Sequence, residues 1–116
     1  MTLALTEISP PHVCTILVAE DEPAILALIA KMLRREGYKV LEALDLDAVL
    51  LACQNNPGEI DLLIADIRLG LLHTKCPSLR ILYLAHQAER DMEDYAWLAK
   101  PFTLASLIQK VRELVG

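Results

Sequence analysis

Basic residues are scarce in this chain of 116 residues: Lys and Arg number 11 against 16 Asp and Glu, a net charge of −5. They are also scattered, with Arg34-Arg35 the only doublet. A nucleic-acid surface needs clustered Lys and Arg to meet phosphates, so no nucleic-acid partner is expected. The doublet itself reads as the C-terminal end of a helix, facing water. No apolar stretch approaches the roughly 20 residues that cross a bilayer. The opening MTLALTEISPP has no basic leader ahead of an apolar region, so no secretory signal and no membrane partner are expected. Cys14, Cys53 and Cys76 are far apart and form no C-x-x-C. A disulfide framework or a zinc site is thereby disfavoured, and buried structural thiols in a cytoplasmic protein are the reading that fits. Internal repeats, low-complexity segments and linkers are absent as well. A chain of this length, 54% hydrophobic and 23% charged, suits one domain with one core.

What the chain does have is a series of apolar runs that end in charge. ILVAED at 16–21, LLIAD at 62–66 and WLAKPF at 97–102 each stop this way. Residues 1–12, ending in Pro10-Pro11, show no periodicity and read as an N-terminal tail to a domain spanning 13–116. Val13–Ala19 is a nearly continuous apolar run rich in β-branched residues, as expected of a strand buried on both faces of a parallel sheet. Asp21 or Glu22 then caps a helix with Pro23 at its first position. That helix repeats Ile25, Leu28, Ile29, Met32 and Leu33 at helical spacing and ends at Gly37. Tyr38–Glu42 reads as the second strand and Asp45–Gln54 as the second helix, ended by Asn55-Asn56-Pro57-Gly58. Ile60–Asp66, Leu79–Ala85 and Tyr95–Ala99 supply three more strands. The segment 103–115 is an amphipathic helix with Leu104, Leu107, Ile108, Val111 and Val115 on one face and Thr103 as cap. Strands alternating with helices imply an α/β fold, a doubly wound parallel sheet whose ligand site lies beyond the carboxyl ends of its strands.

Glu20, Asp21, Asp66 and Lys100 all fall at such ends. Each alone has a plainer reading: the acidic pair as helix-capping charge, Asp66 as a loop cap, Lys100 as a surface lysine. Taken in order, an acidic pair after strand one, an aspartate after strand three and Lys-Pro-Phe after strand five resemble the receiver (CheY-like) domain of two-component response regulators. The resemblance covers residues 13–116. It implies a flavodoxin-like five-stranded sheet in the order 2-1-3-4-5. It further implies that Asp66 accepts a phosphoryl group and that Lys100 contacts it. Mg2+ would be held by Glu20, Asp21, Asp66 and the backbone carbonyl of Arg68, in keeping with its demand for oxygen ligands. A cis Lys100–Pro101 bond is also possible.

The chain departs from that pattern in two places. Its fourth strand ends in Ala85-His86, where the family has Thr or Ser followed by a small residue. In the family that hydroxyl moves to the phosphoryl group and draws in an aromatic residue of the fifth strand, here Trp97. Ala85 has no donor, so phosphorylation at Asp66 is expected to be kept while the relay through Trp97 is in doubt. His86 reads as a solvated neighbour, and His12 and His73 carry no partner pattern. Connections are short as well: residues 67–78 and 86–94 leave a third helix shortened or absent and a fourth, around Ala88–Asp94, of about two turns. Either a partner covers the sheet face so opened, or the loops fold over it, or stretches near 70–71 and 86–94 that the family carries are missing from this sequence.

The function expected is that of a Mg2+-dependent phosphoacceptor in two-component or phosphorelay signalling, not an enzyme in its own right. Expected partners are a sensor histidine kinase or phosphotransfer protein and a downstream protein, with a homodimer through the last helix and last strand as a further possibility. Because no effector domain follows Gly116, stand-alone action by protein–protein interaction is expected. The alternative is a phosphorylation-independent receiver-like adaptor, which Ala85 and the short connections favour. A phosphohydrolase on the same fold class would need a second acid two residues after the nucleophile, where Arg68 stands.

Overall fold

Five short strands alternate with three helices in a computed structural model that describes residues 13–69, 75–87 and 95–116. In chain order they are β1 (Thr15–Ala19), α1 (Pro23–Arg35), β2 (Lys39–Ala43), α2 (Leu46–Asn55), β3 (Leu62–Asp66), β4 (Ile81–Ala85), β5 (Ala96–Ala99) and α3 (Leu104–Val115). All neighbouring strands pair in parallel, in the order β2-β1-β3-β4-β5. The doubly wound sheet expected from the apolar runs is the one observed.

Every residue of β1, β3 and β4 is buried. Alternation along each strand divides the core into two layers. Ile16, Val18, Ile64, Leu82 and Leu84 pack against Leu26, Ile29 and Leu33 of α1 and Leu107 and Val111 of α3. Leu17, Leu63, Ala65, Ile81 and Tyr83 form the other layer with Val49 of α2 and Cys76. Each fully buried Leu or Ile contributes about 1.5–3 kcal/mol relative to an exposed one. The three central strands therefore fix the site residues at their ends to a stiff base.

Strand boundaries differ from the sequence expectation for identifiable reasons. β2 starts one residue later because the Tyr38 amide donates to Leu33 O at 3.2 Å, closing α1 instead of entering the sheet. Gly37 makes that closure possible, since its φ of 95° lies in the left-handed region. β4 starts at Ile81, not Leu79, because the Leu79 amide is used in a turn to Cys76 O at 3.1 Å.

Capping also differs in part. Asp45, expected as the first residue of the second helix, is instead its cap, accepting from the Ala48 amide at 2.8 Å. Thr103 and Ser106 form a reciprocal capping box at α3. At α1, however, Glu22 occupies the cap position without a side-chain bond, and Asp21 turns toward Arg68 instead. Pro23 at the first position has no amide to satisfy, which removes one of the unpaired donors of that end. Cys14 and Cys53 are half-buried and Cys76 is buried, and all three are free thiols.

The third connection begins as a single 3-10 turn, Ile67–Leu69. The expected fourth helix around 88–94, the tail 1–12, and His12 and His73 lie outside the described residues. The expected opening of a sheet face does not reach β3 or β4, whose side chains are buried throughout. Among the described residues no helix is long and apolar enough to cross a membrane.

Candidate functional site

Period-two alternation sets the site. Val18 of β1 pairs in register with Ile64 of β3, so Glu20 and Asp66, each two residues further on, extend the same face beyond it. Both carboxylates are buried, Glu20 to 1% and Asp66 to 0% exposure. Asp21 follows on the exposed side, its amide donating to Glu20 Oε2 at 3.0 Å. The three acids each present an oxygen within 4.8 Å of the others. Such a cluster is costly unless cations meet it.

Two cations do. Lys100, carried past the end of β5, places Nζ on Asp66 Oδ2. Its backbone amide donates to Ala85 O at 2.8 Å, and the Lys100–Pro101 bond is cis, as the Lys-Pro-Phe motif allowed. The second cation is Arg68. Its amide donates to Asp66 Oδ1 at 2.9 Å, folding the 3-10 turn back over the aspartate. The guanidinium then donates through Nε at 3.1 Å to Oδ1 and through Nη2 at 2.8 Å to Oδ2. The same Nη2 reaches Asp21 Oδ1 at 3.0 Å and stands 3.5 Å from Glu20 Oε2.

These contacts push the two buried acids apart in acidity. Burial raises Glu20 to about 7, helped by its hydrogen bond with and the charge of Asp66. Burial acts the same way on Asp66, but hydrogen bonds from Arg68 and Lys100 outweigh it and hold the carboxyl well below the usual range. Arg68 in turn is raised, chiefly by its bonds to Asp66. At neutral pH Asp66 is therefore a buried, ionised carboxylate held in place by two cations.

Beside it lies a cleft of about 390 Å3 lined by Glu20, Ile25, Arg68, Leu84, His86, Lys100, Pro101 and Phe102. Ala85 is buried at the end of β4, and its side chain offers no donor. Trp97, paired in register with Tyr83, is half-buried against the α2 layer of the core. Of the site residues predicted from the sequence, Glu20, Asp21, Asp66, Arg68, Ala85 and Lys100 lie at or just past the carboxyl ends of β1, β3, β4 and β5, whereas Trp97 sits within β5. Sequence reasoning missed the Arg68 side chain, having assigned only its backbone carbonyl. The signal available was an arginine two residues after the aspartate, where a tight turn lets the guanidinium fold back. It also set His86 aside, although that exposed residue lines the cleft.

The family model for the response regulator receiver domain matches residues 16–73. This chain belongs to the response regulator receiver domain family. Its solved relatives include the receiver domain of the hybrid histidine kinase CckA, with a TM-score of 0.76 and 30% identity over 88% of this chain and 99% of that one. A response regulator receiver domain from Clostridium thermocellum gives 0.76 at 25% identity, over 89% of this chain and 94% of that one. Among curated proteins, the transcriptional regulatory protein PdtaR of Mycobacterium tuberculosis is 34% identical over 118 residues, 87% of this chain and 56% of PdtaR. The response regulator GtcR of Aneurinibacillus migulanus is 40% identical over 58 residues, 50% of this chain and 23% of GtcR. The chain spans about half the length of PdtaR and less of GtcR. The aligned span with PdtaR exceeds the whole length of this chain although only 87% of it takes part. PdtaR therefore carries residues within the aligned region that this receiver domain lacks.

Receiver domains typically bind Mg2+ at an acidic pocket and interact with histidine kinases or phosphotransfer proteins. The donor set here fits that ion: Glu20, Asp21 and Asp66 offer hard oxygen ligands, and the hard Mg2+ ion takes few carboxylates and keeps its waters. Together the residues can hold a divalent cation, keep a nucleophilic oxygen anionic and present a lysine to an incoming anion.

Proposed function

We propose that this receiver domain accepts a phosphoryl group on Asp66 in two-component or phosphorelay signalling, with Mg2+ as cofactor. The observation that carries the reading is the ion pair of Lys100, which lines the cleft, with the fully buried Asp66. A carboxylate oxygen of Asp66 attacks the phosphorus of a phosphohistidine or a small acyl phosphate. The P–N or P–O bond breaks, the donor leaves with its electron pair, and an aspartyl phosphate remains. Glu20, Asp21, Asp66 and the Arg68 carbonyl would hold Mg2+, which when bound neutralises charge on the transferring group. Lys100 meets the phosphoryl oxygens as a point charge. A sensor histidine kinase or phosphotransfer protein supplies the phosphoryl group in the cytoplasm, and the domain acts as acceptor rather than as a turnover enzyme. Output runs through a protein partner at the face made by β5, an edge strand, and α3, which also serves for any homodimer.

Ala85 favours a second reading, a receiver-like adaptor that works without phosphorylation, because no hydroxyl stands at the end of β4 to sense the phosphoryl group. One experiment separates the two. Wild type incubated with acetyl phosphate and Mg2+ is expected to gain one phosphoryl group by intact mass, and Asp66→Asn none. No gain in wild type, or equal gain in both, sinks the phosphoacceptor.

A further inference from the structure

The side chain of Arg68 is the part of the site that the acceptor chemistry leaves unexplained. Its Nη2 lies 2.8 Å from Asp66 Oδ2, 3.0 Å from Asp21 Oδ1 and 3.5 Å from Glu20 Oε2. Those are the three carboxylates whose oxygens converge as a candidate cation site. A single nitrogen with two hydrogens serves two of them by hydrogen bonds and the third by charge alone. We infer that the Arg68 guanidinium is a built-in cation that occupies the divalent-metal position, so that Mg2+ and Arg68 compete for the same carboxylates.

Three features support the competition. The guanidinium and a metal held by these oxygens would fill the same space, and two cations so close repel strongly at the modest effective dielectric of a protein surface. Arg68 has somewhere to go, since its side chain is 51% exposed while those of Glu20 and Asp66 are nearly or fully buried. The acids cannot follow it, because both sit at the rigid ends of central strands. Loading the site therefore means swinging one side chain outward, with no change in the sheet. Arg68 is a positioning residue in this account: it keeps the metal-free acidic cluster neutralised and sets how much Mg2+ is needed to displace it. The planar fork that grips Asp66 through both Nε and Nη2 makes this a stronger rival than a lysine at the same position.

This inference rests on the Mg2+ reading above, and its test separates the two. Mg2+ is titrated into wild type, Arg68→Gln and Arg68→Lys by isothermal calorimetry, and thermal unfolding is followed in EDTA and in Mg2+. Any substitution keeps the backbone carbonyl, so only the side chain is probed. Arg68→Gln is expected to bind Mg2+ about tenfold more tightly or better. In EDTA it is expected to melt several degrees below wild type, and Mg2+ is expected to restore the loss. Arg68→Lys, which keeps the charge but not the fork, should bind more tightly than wild type and less tightly than Arg68→Gln. Equal Mg2+ affinity in wild type and Arg68→Gln overturns the inference while leaving the acceptor reading standing. Wild-type affinity in Arg68→Lys with a gain in Arg68→Gln overturns it too, since net charge alone would then account for the effect. If none of the three proteins binds Mg2+, the Mg2+ reading falls together with this one.

Discussion

The amide of Lys100 donates to the carbonyl of Ala85 at 2.8 Å, tying the ends of β4 and β5 together beside the acidic cluster. That link uses backbone alone. The position of Lys100 is therefore independent of the side chain at 85, and we propose that the missing hydroxyl there bears on signalling rather than on assembly of the site.

A threonine at that position tests the division. Ala85 is 1% exposed, so the added methyl and hydroxyl cost about 1–3 kcal/mol by overpacking. The backbone bond to Lys100 persists, and phosphoryl uptake is expected to survive. What should change is the reporter: Trp97 emission on adding beryllofluoride and Mg2+ is expected to shift more in Ala85→Thr than in wild type. Equal responses in the two proteins would falsify the hydroxyl's role in coupling.

Lys100 carries a different load. Its Nζ meets a carboxylate with no solvent exposure, and removing one partner of a buried pair costs about 3–5 kcal/mol when nothing else compensates. Arg68 does compensate in part, so Lys100→Met is expected to lower stability by about 1–3 kcal/mol in denaturant unfolding. Phosphoryl uptake from acetyl phosphate should fall at the same time. A variant as stable as wild type would mean that Arg68 alone neutralises Asp66.

The fold was legible because parallel strands buried on both faces write themselves as unbroken apolar runs, and charge marks where they end. Leu62–Asp66 is such a run, and its last residue is the buried acid. The pairing of Val18 with Ile64 needs the sheet; the resemblance implied that β1 and β3 are neighbours but not their register. Arg68 was not legible, since its role depends on how Asp66 Oδ1 accepts the Arg68 amide and curls the chain. Spacing in sequence put an arginine two residues after the aspartate but did not fix the turn that folds it back. Strand starts were missed for a similar reason: Tyr38 and Leu79 are apolar enough for a strand, but their amides are taken by turns.

Thr103 should show its worth in stability. It accepts from the Ser106 amide at 3.0 Å, and the Ser106 hydroxyl accepts from the Thr103 amide at 3.1 Å. Replacing Thr103 by Ala leaves one end of α3 with an unsatisfied donor and is expected to cost about 1 kcal/mol. For a domain of this size that lowers the melting temperature by about 4–8 °C. Thr103→Ser, which keeps the acceptor, is expected to show little of that loss.

Cys53 gives a prediction with a definite sign in pH. Its sulfur lies 4.0 Å from that of Cys76, and burial, then the neighbouring thiol, push its pKa up to about 11. Thiolate is the reactive form, so alkylation of Cys53 by iodoacetamide should be slow at neutral pH and rise about tenfold per unit until near pH 11. Stability follows the same group. An unfolded cysteine loses its proton near pH 8.5, while the folded one keeps it to about 11. Between those values the folded state binds more protons, so unfolding free energy falls as pH rises, and it is unaffected by this group below pH 8. Cys53→Ala is expected to flatten that decline in denaturant unfolding between pH 8 and 11. Tyrosines also ionise in this range, so the difference between the two proteins is the quantity that counts. Parallel declines would show that the Cys53 thiol ionises as readily in the fold as outside it.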